Sequence, residues 1–205
     1  MINPKTIKTI KAIIFDIDGV LIKSTDGSGN MLWKKDLKKR FGTSYVIDSM
    51  LDPDIFLGKV DTYKKVEAVL HDKKKADQFV KYWLTQKNNI DVDKRLLAVA
   101  REIKKTGVKI YIGTTQEKYR ADYVWNKLGF KKIYDGIFAS CDIGYMKPDV
   151  RFYKYIAKTL KISPQNILMI DDKPDNIEGA ISAGMQGYLY INYDRAYKEL
   201  FSYLT

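Results

Sequence analysis

KAIIFDIDGVLI, residues 11–22, is the stretch on which the reading of the whole chain depends. Four apolar residues, Ala12 to Phe15, run straight into Asp16, Ile17, Asp18 and Gly19. A short continuous apolar run closed by an Asp-Gly pair predicts a strand buried on both faces, the kind found in parallel sheets covered by helices. In open α/β sheets chemistry collects just beyond the carboxyl ends of the strands, and that is where Asp16 and Asp18 fall. Two carboxylates this close repel each other, and an apolar neighbourhood raises the cost unless something positive joins them. A hard divalent cation such as Mg²⁺, which takes oxygen ligands, is the partner such a pair invites.

Working outward, the same rhythm resumes only beyond residue 92. Asp93 caps the helical pattern KRLLAVAREIKKT, which Gly107 ends, and VKIYI (108–112) predicts a strand closed by Gly113, Thr114 and Thr115. A helix over 117–128 stops at Gly129, and GIFAS (136–140) is a short strand. Pro148 is placed at the first position of the helix DVRFYKYIAKTLK. NILMI (166–170) is a further apolar strand ending in Asp171 and Asp172. A helix over roughly 174–183, a strand GYLYI (187–191) and a helix over 194–204 complete the chain. Strands alternating with helices of this length predict an α/β fold: a Rossmann-like parallel sheet in a three-layer α/β/α arrangement with right-handed crossovers.

The intervening 23–92 reads as an all-helical insertion. KSTDGSGN (23–30) has turn composition and suits a flap. Met31, Leu32, Trp33 and Leu37 give one helical face, with Asn30 as its cap and Gly42 as its stop. Asp61 caps TYKKVEAVL, with Tyr63, Val66 and Leu70 on one face, and ADQFVKYWLT (76–85) is another helix. Segment 43–60 offers only a turn at Asp52 and Pro53. The expected organisation is a core of 1–22 and 93–205 and a helical cap of 23–92, whose aromatics (Trp33, Phe56, Tyr63, Phe79, Tyr82, Trp83) chiefly fill the cap's own interior.

With 36 Lys and Arg against 25 Asp and Glu, the chain carries a net charge of +11 over 205 residues. The lysines are scattered, for example over 34–39, 73–75 and 104–109, and a nucleic-acid partner would call for clustering rather than a total. A positive field still steers a small anionic substrate. A single cysteine, Cys141, forms no internal disulfide and fits a reducing compartment. The N-terminal residues lack the apolar segment of a signal peptide, and no apolar run approaches the roughly 18 residues that span a bilayer. A cytoplasmic protein with no membrane partner is expected; the sequence carries no signal of oligomeric state. His71, the one histidine, reads as a solvated helix end, which argues against serine-histidine and zinc-histidine chemistry. Cys141 reads as a small buried or half-buried thiol.

The strand ends therefore gather Asp16 and Asp18, Thr114 and Thr115, and Asp171 and Asp172 at one edge of the sheet, with Lys147 between them in sequence. Singly, each has a plainer explanation: Asp-Gly favours turns, threonine is common at strand ends, Lys147 would be a surface lysine, and acids before a helix cap it. Together they are the inventory of phosphoryl transfer through an aspartyl-phosphate. A carboxylate nucleophile needs no base near neutral pH, and a metal and a lysine offset phosphate charge.

The same residues carry a resemblance to the haloacid dehalogenase-like hydrolase superfamily, most of whose members are phosphatases. Asp16-Ile17-Asp18-Gly19-Val20-Leu21 resembles its first motif, Thr114 its second, Lys147 in GYMKPD its third, and Asp171-Asp172 in LMIDDKPDNIEGAISAGM its fourth. The resemblance covers 11–22 and about 93–192. It implies that Asp16 attacks phosphorus and binds Mg²⁺, and that Asp18 protonates the leaving alcohol and then activates water, its backbone carbonyl binding metal. It further implies that Thr114, with Thr115 beside it, binds the phosphoryl group, and that Lys147 stabilises its charge and orients Asp16. Asp172 matches the metal-binding acid, with Asp171 a direct or water-mediated ligand. Asp175 and Asn176 support the loop. The function implied is a Mg²⁺-dependent phosphatase acting on a small phosphorylated metabolite, with 23–92 closing over the site. A phosphomutase of the same fold and a non-catalytic binding module are the alternatives, and retention of Asp18 argues against a dehalogenase.

Overall fold

The computed structural model describes residues 8–23, 32–41, 45–85 and 91–205. Five strands form one parallel sheet: β1 (Ala12–Phe15), β4 (Lys109–Thr114), β5 (Gly136–Ala139), β6 (Ile167–Asp171) and β7 (Gln186–Leu189), in the order β5-β4-β1-β6-β7. β1 is central, with Phe15 opposite Ile112 on one side and Ile170 on the other. Both of its faces are buried, which is why its sequence is continuously apolar. Ile13 and Phe15 enter one apolar cluster; Ala12 and Ile14 enter another on the opposite face. α6 (Lys94–Lys105) and α11 (Tyr193–Glu199) serve the first cluster, through Leu96, Ala100 and Ile103 and through Ala196. α9 (Val150–Leu160) and α10 (Pro174–Ser182) serve the second, through Phe152, Ile156, Ile177 and Ala180. The three-layer α/β/α expectation holds.

Most expected caps are in place. The Asp93 side chain accepts from the Arg95 backbone N–H at the start of α6, and Asp61 accepts from the Lys64 backbone N–H at the start of α4 (Thr62–Leu70). Pro148 is a correction: α9 is capped by Asp149, whose carboxylate accepts from the Arg151 N–H, so the proline lies ahead of the helix in a cis Lys147–Pro148 peptide. The expected helix over 117–128 is α7 (Lys118–Asp122), capped by Glu117 and continued by a π-helical turn, Tyr123–Lys127. The last strand and helix are shorter than expected, and Phe201–Tyr203 is a 3₁₀ turn.

The described residues of the insertion form helices joined by short turns, apart from its ends. β2 (Ile22–Lys23) and β3 (Asp91–Val92) pair antiparallel as a two-stranded ribbon. Between them lie α1 (Leu32–Phe41), α2 (Tyr45–Met50), α3 (Pro53–Phe56), α4 and α5 (Lys73–Thr85). All of these helices but α3 share an apolar cluster of their own, which includes Leu37, Ile47, Val66, Phe79 and Trp83. Phe79, Trp83, Tyr63 and Tyr82 fill it as expected, whereas Phe56 is outside it. Asn30, Gly42 and all of the expected flap but Lys23 lie outside the described residues, as does the Trp33 side chain. His71 is exposed and ends α4. Among the described residues no helix is long and apolar enough to cross a membrane.

Candidate active site

The loop after β1 is a closed turn. The Asp16 N–H donates to Ile170 O, carrying the sheet one residue further, and Ile17 O accepts from the Ile22 N–H. Gly19 has φ +95°, and a Cβ there would fall 2.2 Å from Asp172 Oδ2, so only glycine lets this turn approach the end of β6. The Asp93 N–H donates to Leu21 O, which ties the turn to the ribbon.

Lys147 is the centre of the charge cluster. Its Nζ lies 2.8 Å from Asp16 Oδ1 and 2.5 Å from Asp171 Oδ2, and the three side chains are 2%, 8% and 0% exposed. Asp171 Oδ1 accepts from the Lys173 backbone N–H and from Asn176 Nδ2, both at 2.9 Å. Asp171 is thus engaged on both oxygens, and Asn176 supports the loop as expected; Asp175 is exposed. Burial opposes the Lys147 ammonium, but Asp16 and Asp171 outweigh it and hold its pKa above the usual lysine value. Burial pushes the Asp16 carboxyl up to about 7; Lys147 pulls it down and Asp171 adds to the rise. Three buried charges with two negatives leave a net negative pocket, which is costly unless a further cation is bound.

Asp172 lies beside this pocket. Its Oδ1 is buried and has no hydrogen-bond partner among the described residues, and burial followed by the nearby Asp171 raises its pKa. Carboxylate oxygens of Asp16, Asp171 and Asp172 lie within 4.8 Å of one another. An all-oxygen donor set with an orphaned acceptor suits a hard divalent ion such as Mg²⁺.

Thr114 is the last residue of β4 and is buried; Thr115 Oγ1 accepts from the Lys147 backbone N–H at 3.2 Å. The threonines, Lys147, Asp16 and Asp171 therefore share the carboxyl edge of the sheet. Asp18 turns another way. Its Oδ1 takes a 2.7 Å bond from Arg120 Nη2 and its Oδ2 a 2.6 Å bond from Gln116 Nε2.

Gln116, Glu117, Arg120, Ser140 and Thr62 were not singled out by the sequence. Gln116 and Arg120 reach Asp18, while Glu117 is buried and accepts a 2.6 Å bond from the Thr62 hydroxyl of α4. Ser140 Oγ donates to Phe56 O at 2.7 Å and accepts from the Gln116 N–H. Tyr119 OH donates to Asp61 at 2.6 Å, and its ring packs edge-on to Tyr63. Gly58, at φ +72°, brings its backbone against the Cys141 carbonyl, where a Cβ would come within 2.1 Å. Together these contacts dock the helical insertion on the end of β4. One signal was available: Gln116 and Glu117 follow a strand end that already supplied two candidates. Cys141 is half-buried, and burial pushes its thiol up to about 12.

The fold has counterparts. A haloacid dehalogenase-like family hydrolase of Porphyromonas gingivalis superposes with a TM-score of 0.75 at 20% identity, covering 96% of this chain and 98% of that one. A family enzyme of Bacteroides thetaiotaomicron, solved with magnesium and inorganic phosphate, gives 0.72 at 15% identity over 89% and 94% of the two chains. In sequence, the sesquiterpene phosphatase astK of Aspergillus oryzae is 28% identical over 188 residues, 87% of this chain and 89% of that protein. Flavin mononucleotide hydrolase 1 of Arabidopsis thaliana is 36% identical over 75 residues, 37% of this chain and 31% of that protein. The model of the haloacid dehalogenase-like hydrolases matches residues 10–184, from the approach to β1 through the whole charged edge, and the chain belongs to that family.

Proposed function

We propose that this protein is a Mg²⁺-dependent phosphatase that hydrolyses a small phosphate monoester through an aspartyl-phosphate on Asp16. The observation that carries the reading is the buried cluster of Asp16, Lys147 and Asp171 beside the orphaned Asp172 Oδ1. Asp16, Asp172, Asp171 and the Asp18 carbonyl would hold the ion, which when bound supplies positive charge to the phosphoryl oxygens and keeps Asp16 ionised.

Asp16 Oδ attacks phosphorus, the ester P–O bond breaks, and Asp18 delivers a proton to the departing oxygen. Water then attacks the aspartyl-phosphate, its proton passes to Asp18, and Asp16 is regenerated as phosphate leaves. Lys147 neutralises charge on the transferred group and fixes Asp16, while Thr114 and Thr115 bind phosphoryl oxygens. Residues 1–22 and 93–205 act as the core and 23–92 as a cap that excludes water from the edge. The single cysteine fits a cytoplasmic setting. The similarity to a named phosphatase over most of both chains supports hydrolysis over a mutase outcome.

The test is a screen of phosphorylated metabolites with Mg²⁺, with Asp16→Asn as the control. Mg²⁺-dependent phosphate release that the variant lacks is the expected result. No release from any ester, or equal release by the variant, would sink the assignment.

A further inference from the structure

The orientation of Asp18 is not set by the strand that carries it. Gln116 and Arg120 each take one of its oxygens, at 2.6 and 2.7 Å. The Arg120 side chain is 4% exposed and that of Asp18 34%, so the guanidinium is the fixed member of the pair and the carboxylate the one that water reaches. The grip is itself braced. The Gln116 N–H is held by Ser140 Oγ at 3.0 Å, and Glu117 caps α7 through the backbone N–H groups of Tyr119 and Arg120. Thr62 locks Glu117 from the insertion, and the Trp83 ring of α5 stands 6.0 Å from the guanidinium. Both partners are donors, one on each oxygen, so together they fix the direction in which the carboxylate faces.

We propose, on the basis of the phosphatase reading above, that Arg120 and Gln116 are positioning residues for the second half-reaction. They hold the Asp18 carboxylate where it takes the proton of the water attacking the aspartyl-phosphate. In that step the water oxygen bonds to phosphorus and the P–O bond to Asp16 breaks. The electron pair returns to the Asp16 carboxylate, and the water proton goes to Asp18. Neither Arg120 nor Gln116 exchanges a proton. Formation of the aspartyl-phosphate from an ester with a good leaving group does not draw on them, since a nitrophenolate departs without protonation.

The consequence is a split between two kinetic constants. With 4-nitrophenyl phosphate and Mg²⁺, Arg120→Ala should lower kcat roughly 10²-fold, the lower end of what a placed base contributes. KM should fall in parallel, leaving kcat/KM within about threefold of the wild type, because phosphoenzyme accumulates when only its breakdown is slowed. Stopped-flow mixing should show a burst of nitrophenolate approaching one per enzyme. Gln116→Leu, which keeps side-chain volume and leaves the buried guanidinium its carboxylate, should shift both constants in the same sense by a smaller factor; it also serves if Arg120→Ala does not fold. A fall in kcat/KM as large as that in kcat, with no burst, overturns the inference. A raised KM in either variant also overturns it, by making these residues substrate contacts. A wild type inactive toward 4-nitrophenyl phosphate and the whole metabolite panel would break the phosphatase reading and this inference together, so the two failures are distinct.

Discussion

Asp16 and Asp18 leave the same strand two residues apart and end in opposite surroundings. Asp16 is buried against Lys147 and Asp171, all three supplied by the core. Asp18 is a third exposed and held by α7, which is itself docked on the helical insertion through Glu117 and Thr62. The difference teaches that one edge of one sheet hosts two kinds of carboxylate. One is fixed by charges and nearly sealed from solvent, as the proposed nucleophile requires. The other is held by donors at a half-exposed seam, as the proposed proton carrier requires.

The comparison breaks most sharply at Asp16. Asp16→Asn should lower turnover of 4-nitrophenyl phosphate by roughly 10⁴-fold or more, the order seen when a nucleophile is removed; a rate within tenfold of the wild type would mean that Asp16 is not the attacking group. Next comes its partner. Lys147→Ala leaves Asp16 and Asp171 facing each other, and breaking a buried charge cluster in this way costs about 3–5 kcal/mol, to be read from urea unfolding. Activity should drop by about 10²-fold as well. If Lys147→Ala were as stable as the wild type, the cluster would not be the fixed half of the comparison.

The orphaned oxygen of Asp172 is addressed by metal alone, without substrate. Mg²⁺ at a hundred times its Kd should add about 2.7 kcal/mol of stability, visible as a thermal shift reversed by chelator. Asp172→Asn should remove most of that shift. A shift that survives the substitution would place the ion elsewhere.

How much of this was legible follows the same division. The central strands, the order of the acids and the role of Asn176 could be read because each depends on local pattern: apolar runs, a turn pair, an acid at a strand end. The seam could not be read, because Gln116 and Asp18 are 98 residues apart and Thr62 and Glu117 are 55 apart. α2 and α3 were illegible for another reason: at six and four residues they are too short for propensity to specify, and α2 is held by packing against α4 and α3 by packing against the short helix α8 (Ser140–Ile143). Pro148 misled because a proline and an aspartate compete for the start of α9, and the side chain of Asp149 supplied the cap.

Two smaller effects sharpen the wet side of the comparison. Thr62→Val removes one hydrogen bond to a carboxylate and should cost about 1.5–2 kcal/mol in denaturant unfolding. A neutral result would make the docking of α4 on α7 incidental. Glu117 gives a pH signature: burial raises its pKa, against the bonds from Thr62 and the backbone. A raised folded value means a stabilising contribution that is complete below the unfolded pKa and is lost as pH rises through the folded one. The stability of the wild type relative to Glu117→Gln should therefore decline from acid toward neutral pH. A relative stability that rises over that range would contradict the assigned direction.

The near-total burial of Lys147 has a consequence for how the protein meets its surroundings. Mobile ions screen exposed charges beyond about 10 Å at 0.1 M ionic strength but hardly reach a pair sealed from water. The scattered surface lysines, proposed to draw an anion in, and Lys147, proposed to receive it, are thus governed separately. On the proposed function, added salt would weaken capture while leaving the chemistry of a bound ester nearly untouched, so the ionic composition of the medium would set how often the site is filled rather than how fast it works.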